Sequence, residues 1–147
     1  MKRFFVTLLV LGLFVGTAYA ASEKDLAVSL VDKAAALAQT QGKEKALAEI
    51  STAKGQFDKG EVYVFGYDTQ GVIVAHPKNP KLIGKNLLEV PDPDGKFFRK
   101  EIQDVAKTKG TGWVDYKYTN PETKKVELKT TYLKKVGDLI ICCGVYK

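Results

Sequence analysis

The sequence predicts an α+β domain in which a long N-terminal helix packs on an antiparallel sheet of about five strands. Helical spacing of apolar residues dominates the stretch before residue 54, whereas Val-, Ile- and Tyr-rich runs, with one short helical segment among them, follow it. These runs are joined by turns containing Gly or Asn-Pro, which connect antiparallel strands. Helices followed by strands are typical of a layered α+β domain.

The first twenty residues have the pattern of a secretory signal peptide. Lys2–Arg3 is basic, Phe4–Gly16 is apolar, and Ala18–Ala20 offers a small-x-small cleavage site. An uncleaved N-terminal anchor is the alternative, although the apolar stretch is shorter than the roughly 20 residues of a membrane span. Cleavage at about Ala20 would leave a single periplasmic or secreted domain, residues 21–147.

Charge and motifs exclude several classes of function. The formal net charge is +6, but the lysines are scattered and form no basic run interleaved with aromatic residues. This pattern favours a solvated surface over a nucleic-acid site. With one histidine and no nucleophile or phosphate-loop motif, we predict no enzyme, no cofactor and no metal site.

The helical part comes first. Ser22 and Asp25 resemble a capping box, and an apolar stripe follows at helical spacing through residues 22–41. Gly42 interrupts this pattern, which resumes over residues 43–53. We therefore predict either one long kinked helix or two helices.

The remaining elements predict a hairpin, a helical crossover and a three-stranded meander. The hairpin strands are residues 61–67 and 72–76, and a proline-rich loop leads to a helix over 96–107. The meander strands are residues 113–118, 126–136 and 139–146. In the last strand, Cys142 and Cys143 are adjacent, so they should point to opposite faces and form no framework disulfide.

Several residues are candidates for a ligand pocket. His76, the only histidine, ends the second hairpin strand beside the long loop and could bond a ligand carboxylate; alternatively, it caps the strand end. Tyr63, Trp113 and Tyr116 could line a small pocket, with Phe98 closing its apolar side, although core packing is the alternative for each. A regular strand places Trp113 and Tyr116 on opposite faces, so they share a pocket only with a bulge or strong twist.

The order of several short motifs resembles the single Cache domain of the second type. The longest is Tyr-x-Phe-x-x-Asp-x-x-Gly…Ala-His-Pro-x-Asn-Pro-x-Leu-Ile-Gly-Lys-Asn-Leu, over residues 63–88. Further pieces lie at residues 94–98, 110–116, 129–132 and 144–146. Such domains are extracytoplasmic sensory domains, related in fold to PAS domains, and they usually belong to chemoreceptors and histidine kinases.

This resemblance implies a PAS-like sheet and a ligand-binding function in signal transduction or chemotaxis. It implies a short carboxylate ligand, such as acetate, propionate or pyruvate, and it singles out Lys129 as a point charge that meets the anion with His76. A solvated lysine at a strand start is the alternative. Sensory members continue into a transmembrane helix and a signalling module, whereas this sequence ends with the domain at Lys147. We therefore expect a separate membrane receptor or histidine kinase as partner. A homodimer through the N-terminal helix could accompany binding, or be the whole role of a ligand-free interaction module in the periplasm.

Overall fold

Two helices precede the sheet in the computed structural model, which describes residues 22–147; the predicted signal peptide lies outside the described residues. Helix α1 spans Glu23–Gln41 and α2 spans Lys43–Ile50. The capping box is confirmed, since the Ser22 Oγ accepts from the Asp25 amide at 3.2 Å and the Asp25 carboxylate accepts from the Ser22 amide at 3.1 Å. Gly42, at φ +93°, separates α1 from α2, so the pattern corresponds to two helices. None of the helices in this described part is long and apolar enough to cross a membrane.

The sheet is antiparallel and has six strands. They are β1 (Asp58–Lys59), β2 (Val62–Asp68), β3 (Ile73–Ala75), β4 (Thr111–Thr119), β5 (Val126–Val136) and β6 (Leu139–Tyr146). The spatial order is β1-β2-β6-β5-β4, and β3 pairs with the same strand β2. The hairpin β2–β3 and the meander β4–β5–β6 are therefore confirmed. The prediction of about five strands missed the two-residue β1.

Helix α3, Phe98–Lys109, connects the hairpin to the meander. Its C-terminus is closed by Gly110 in the left-handed conformation, at φ +77°. The predicted helix over 96–107 is thus shifted by two residues at each end, and α2 ends three residues before its predicted limit.

Two separate apolar layers lie on the two faces of the sheet. Helix α1 covers one face with Ala27, Leu30, Val31 and Ala34. The other face lies under α3 and holds an aromatic layer, which comprises Tyr63, Phe65, Tyr67, Phe98 and Tyr116. Cys143 belongs to the first layer and Cys142 to the second, so the predicted alternation is confirmed. The aromatic layer is the one that surrounds the candidate site.

Candidate functional site

Lys129 lies in the middle of the aromatic layer. Its side chain projects from β5 and only 2% of the residue is exposed. The ammonium donates one hydrogen bond, from Nζ to the Tyr63 hydroxyl at 3.0 Å, and that hydroxyl is 3.1 Å from the Tyr146 hydroxyl. Among residues 22–147, no carboxylate forms a salt bridge with Lys129. A buried cation without a counter-ion is costly, which marks this residue as a functional candidate.

Aromatic rings surround the ammonium. The Nζ lies 4.4 Å from the ring centroid of Tyr63, 4.9 Å from those of Phe65 and Tyr146, and 5.0 Å from that of Tyr118. The negative face of an aromatic ring attracts a cation, and this attraction is strongest where water is excluded. The rings therefore offset part of the cost of burying the charge.

Gly144 provides the space for the lysine side chain. It lies on β6, opposite Thr131 and beside Lys129 on the neighbouring strand. A Cβ atom at Gly144 would overlap the Lys129 Cε and would lie 2.6 Å from the Thr131 hydroxyl. Only glycine at this position lets the lysine run across the sheet into the aromatic layer.

Burial also changes the acidity of Lys129. Desolvation lowers its pKa to about 7; the nearby thiols of Cys143 and Cys142 act to raise the pKa, and the positive charge of Arg99 lowers it further. The ammonium is therefore close to its titration point near neutral pH. An anion placed beside it would favour the charged form and raise the pKa again.

Arg99 is the second buried cation. It lies in the first turn of α3, is 6% exposed, and has its guanidinium carbon 4.3 Å from the Phe98 ring centroid. Its Nη1 donates to the Val90 carbonyl at 3.3 Å, whereas its buried Nε has no hydrogen-bond partner. Like Lys129, it forms no salt bridge with any described carboxylate. An unpaired N–H donor on a buried guanidinium is suited to an acceptor from a ligand.

His76 follows β3 and is also buried. Its Nδ1 accepts hydrogen bonds from the amides of Lys78, at 3.2 Å, and Asn79, at 3.0 Å. Burial, followed by the charges of Lys129 and Arg99, lowers the pKa of His76 to about 3, so the ring is neutral at physiological pH. Because Nδ1 is an acceptor, the proton of the neutral ring is on Nε2. The histidine thus caps the loop through one nitrogen and offers a donor through the other.

Two cavities meet at this site. The inner one, about 10 Å³, has the size of a single water molecule and is lined by His76, Arg99, Tyr116, Tyr118 and Lys129 among others. The outer one, about 420 Å³, opens to solvent between the loop before α3 and the β4–β5 turn. His76, Arg99 and Tyr118 line both cavities. They form the junction through which a ligand would pass.

Five of the six predicted pocket residues lie in or beside this cluster. Lys129, His76 and Tyr116 line the inner cavity, and Phe98 lines the outer one. Tyr116 stacks on Phe98 with centroids 3.9 Å apart, and its hydroxyl bonds Thr131 at 2.8 Å. Tyr63 stands behind Lys129, as the acceptor of its hydrogen bond.

Trp113 is the exception. It lies opposite Tyr132, which packs against the α1 layer, and its ring centroid is 5.3 Å from that of Tyr132. The Lys24 ammonium of α1 lies 5.2 Å from the Trp113 ring. Strand β4 has no bulge that would bring Trp113 to the side of Tyr116, so we no longer place this tryptophan in the site.

Sequence reasoning missed Arg99, Tyr118 and the space at Gly144. A signal for Arg99 existed, since it is one of only two arginines in a lysine-rich sequence and follows two phenylalanines. Arginine is the more suitable residue for a planar anion, because its fork matches a carboxylate.

The thiols and the carboxylates do not form a second chemical centre. Burial raises the pKa of Cys143 to about 12 and moves that of Cys142 still higher, so both thiols stay protonated. Asp92, in the wall of the outer cavity, accepts from the amides of Asp94, Lys96 and Lys117 and organises the loop. Within residues 22–147, no cluster of three or more His, Cys, Asp or Glu side chains could hold a metal ion.

The fold and the cluster define a small-molecule-binding domain, with a sheet on one side and a crossover helix and loop on the other. A family model described as a Cache domain matches residues 18–147. The chain therefore belongs to the Cache domain family, as the motifs predicted, and Cache domains are extracytoplasmic sensor domains.

Relatives and solved structures agree with this assignment. The chain is 30% identical over 118 residues to the methyl-accepting chemotaxis protein McpP of Pseudomonas putida, a match that covers 79% of this chain and 21% of that protein. It is 29% identical over 106 residues to the sensor histidine kinase MctS of Rhizobium johnstonii, covering 70% of this chain and 23% of the kinase. The chain thus spans only about a fifth of the length of these relatives.

The fold is shared with solved sensor domains. A Cache chemosensory domain, solved to show the structural basis of carboxylic acid recognition, is 27% identical with a TM-score of 0.70, covering 84% of this chain and 92% of that one. A periplasmic sensor domain of a chemotaxis protein is 24% identical with a TM-score of 0.66, covering 83% and 88% of the two chains, which shows the fold alone. The PAS-like α+β architecture is thereby confirmed.

Proposed function

We propose that this domain binds a small organic carboxylate at the junction of the two cavities. The observation that carries the proposal is the pair of buried cations, Arg99 and Lys129, which line one cavity that no described carboxylate enters. A buried positive charge is stabilised by an anion that comes close enough to form hydrogen bonds. A ligand carboxylate would supply that anion.

The residues have distinct roles in this proposal. Arg99 donates from its unpaired Nε, and Lys129 provides a point charge from the floor of the inner cavity. His76 donates from Nε2, since its other nitrogen is held by backbone amides. Tyr116 and Tyr118 form the walls. The family resemblance and the related carboxylic-acid receptor domain favour acetate, propionate or pyruvate as ligands.

Binding without catalysis is the activity that this site supports. No described thiol is ionised near neutral pH, and the basic nitrogen of the single histidine, Nδ1, is held by loop amides. We propose that the domain, residues 21–147, works in the periplasm after cleavage of the leader at about Ala20. The signal of ligand binding would be transmitted to a membrane receptor or histidine kinase, because relatives with such domains are chemotaxis receptors and kinases.

A homodimer through α1 stays a prediction. The buried side of α1 faces the sheet, and Leu26, at 36% exposed, is the large apolar residue on its accessible side. Light scattering at several protein concentrations would test it. A monomer throughout would rule out dimerisation of the isolated protein.

Calorimetry with acetate, propionate and pyruvate tests the proposed function. Wild type should bind at least one acid and should not bind propylamine. Arg99→Gln should weaken binding about 10- to 100-fold, as expected for the loss of a charged hydrogen bond of about 1.5–3 kcal/mol. Lys100→Gln is the matched control, because Lys100 is more exposed and pairs with Glu89 at 2.7 Å. Binding that is equal in all three proteins would contradict the proposal.

A further inference from the structure

The outer cavity is much larger than a two- or three-carbon acid requires. Its volume of about 420 Å³ is roughly forty times that of the inner cavity, which has room for a single water molecule. It is also within the range of roughly 300–1,000 Å³ found for sites of larger organic ligands. A carboxylate held by Arg99 and Lys129 at the junction of the two cavities would leave this space for the rest of a ligand.

The wall of the outer cavity is largely apolar. Five apolar side chains contribute to it: Val90, Pro91, Pro93, Phe98 and Pro121. Val90 is 47% exposed, although it borders a concave surface. Three of the five are prolines, whose rings are rigid and lose little entropy when a ligand covers them. This surface fits hydrocarbon better than it fits a second ionic group.

Most of the charges around the outer cavity are already paired. Lys78 forms ion pairs with Asp58 at 2.8 Å and with Glu122 at 2.7 Å, and Lys117 pairs with Asp94 at 3.0 Å. The Asp92 carboxylate accepts three backbone hydrogen bonds.

Lys124 is the remaining lysine of the lining and is exposed at the rim, where water and salt screen it. The buried cations without a carboxylate are therefore the two at the inner end, Arg99 and Lys129, so the site has one enclosed place for an anionic group.

We infer that the preferred ligand is a monocarboxylate with an apolar tail of about four or more carbons, whose head meets Arg99 and Lys129 and whose tail lies against Val90, Phe98 and the prolines. This inference rests on the proposed function and deepens it. Acetate and propionate would place their carboxylate at the junction of the two cavities and leave most of the outer cavity empty. A dicarboxylate of equal length would bring its second charge against the apolar wall, where the lining lysine without an ion pair, Lys124, is exposed to solvent at the rim.

A chain-length series measured by calorimetry tests the inference on protein purified after expression of the full chain. Acetate, propionate, butanoate and hexanoate are compared at one pH, with adipate as the dianion of the same length as hexanoate. Each methylene that enters the outer cavity should lower Kd about fourfold, the value for burying one CH₂ group. Hexanoate should bind at least tenfold more tightly than adipate.

A wall variant locates the tail. Val90→Ser removes apolar surface from the outer cavity without adding charge, and should weaken hexanoate about threefold to tenfold while leaving acetate unchanged. Val126→Ser is the matched control, since Val126 is 53% exposed and does not line this cavity.

The outcomes separate the two proposals. If short acids bind but the Kd stays flat or rises for chains longer than propionate, the inference of an apolar tail is overturned and the proposed function is kept. Adipate binding as tightly as hexanoate would overturn the single anionic group. Absence of binding by every acid would refute the proposed function itself.

Discussion

Replacing Lys129 by methionine should stabilise the protein. The pKa of Lys129 falls from 10.5 to about 7 on burial, which corresponds to about 5 kcal/mol at about 1.36 kcal/mol per pKa unit. Attraction to the four surrounding aromatic rings offsets part of this burial cost. We therefore expect Lys129→Met to raise the free energy of unfolding by roughly 2–5 kcal/mol at pH 6. Methionine keeps the apolar stem, and the Tyr63 hydroxyl retains its contact with Tyr146.

The effect should depend on pH in a defined direction. Below pH 7 both folded and unfolded wild type carry the proton on Lys129, so the full cost is present. Between pH 7 and 10.5 the unfolded chain holds a proton that the folded chain has released, so wild-type stability rises with pH and the advantage of methionine shrinks. A lysine whose pKa is lowered by folding thus destabilises the protein most at low pH.

Urea denaturation of both proteins at pH 6, 7.5 and 9 measures this difference. Lys135→Met is the control, because Lys135 is an exposed lysine of the same strand and its replacement should change stability by less than about 0.5 kcal/mol. If Lys129→Met were destabilising at pH 6, or if its effect were the same at all three values, the account of the buried ammonium would be refuted.

Three further predictions concern the same cluster. Gly144→Ala should destabilise the fold and abolish carboxylate binding, because the added Cβ would displace Lys129. Gly66→Ala should be tolerated, since its Cβ would meet no atom closer than 3.6 Å. Chemical denaturation measures the stability of both variants, and calorimetry measures their carboxylate binding. Carboxylate affinity should fall up to tenfold per pH unit above about 7, because binding must then add a proton to Lys129; a flat profile from pH 6 to 9 would contradict this. The His76 ring should show no titration by NMR between pH 5 and 8, and an NMR midpoint near 6.5 would show that burial does not hold the ring neutral. Protein stability should decrease as pH falls below 6.5, because the histidine of the unfolded chain then takes up a proton that the folded one does not.

The parts of the fold that depend on local pattern could be predicted. Strand alternation accounts for the position of Tyr63, Phe65 and Tyr67 on one face, and adjacency placed Cys142 and Cys143 on opposite faces. Both follow from the period of a strand, which does not depend on distant contacts. The same rule predicted that Trp113 and Tyr116 lie on opposite faces of a regular strand, and β4 has no bulge that would change this.

The site itself depended on contacts that a linear pattern does not contain. The orientation of Arg99 is set by how α3 packs against the sheet and by the loop before α3, whose Val90 carbonyl accepts a hydrogen bond from Nη1. The burial of Lys129 depends on Gly144, which is fifteen residues away along the chain but beside it on the neighbouring strand. Lysine is usually exposed, so only the family resemblance indicated that this one was special.

The most direct test of the carboxylate site is a crystal structure of the protein grown with the tightest acid from the calorimetric series. The carboxylate oxygens should lie within hydrogen-bond distance of the Arg99 Nε and the Lys129 Nζ, at the junction lined by His76 and Tyr118. An acid bound elsewhere, for example in the cleft between Gln103 of α3 and the Gly137 turn, with Arg99 and Lys129 in their present positions, would contradict this placement.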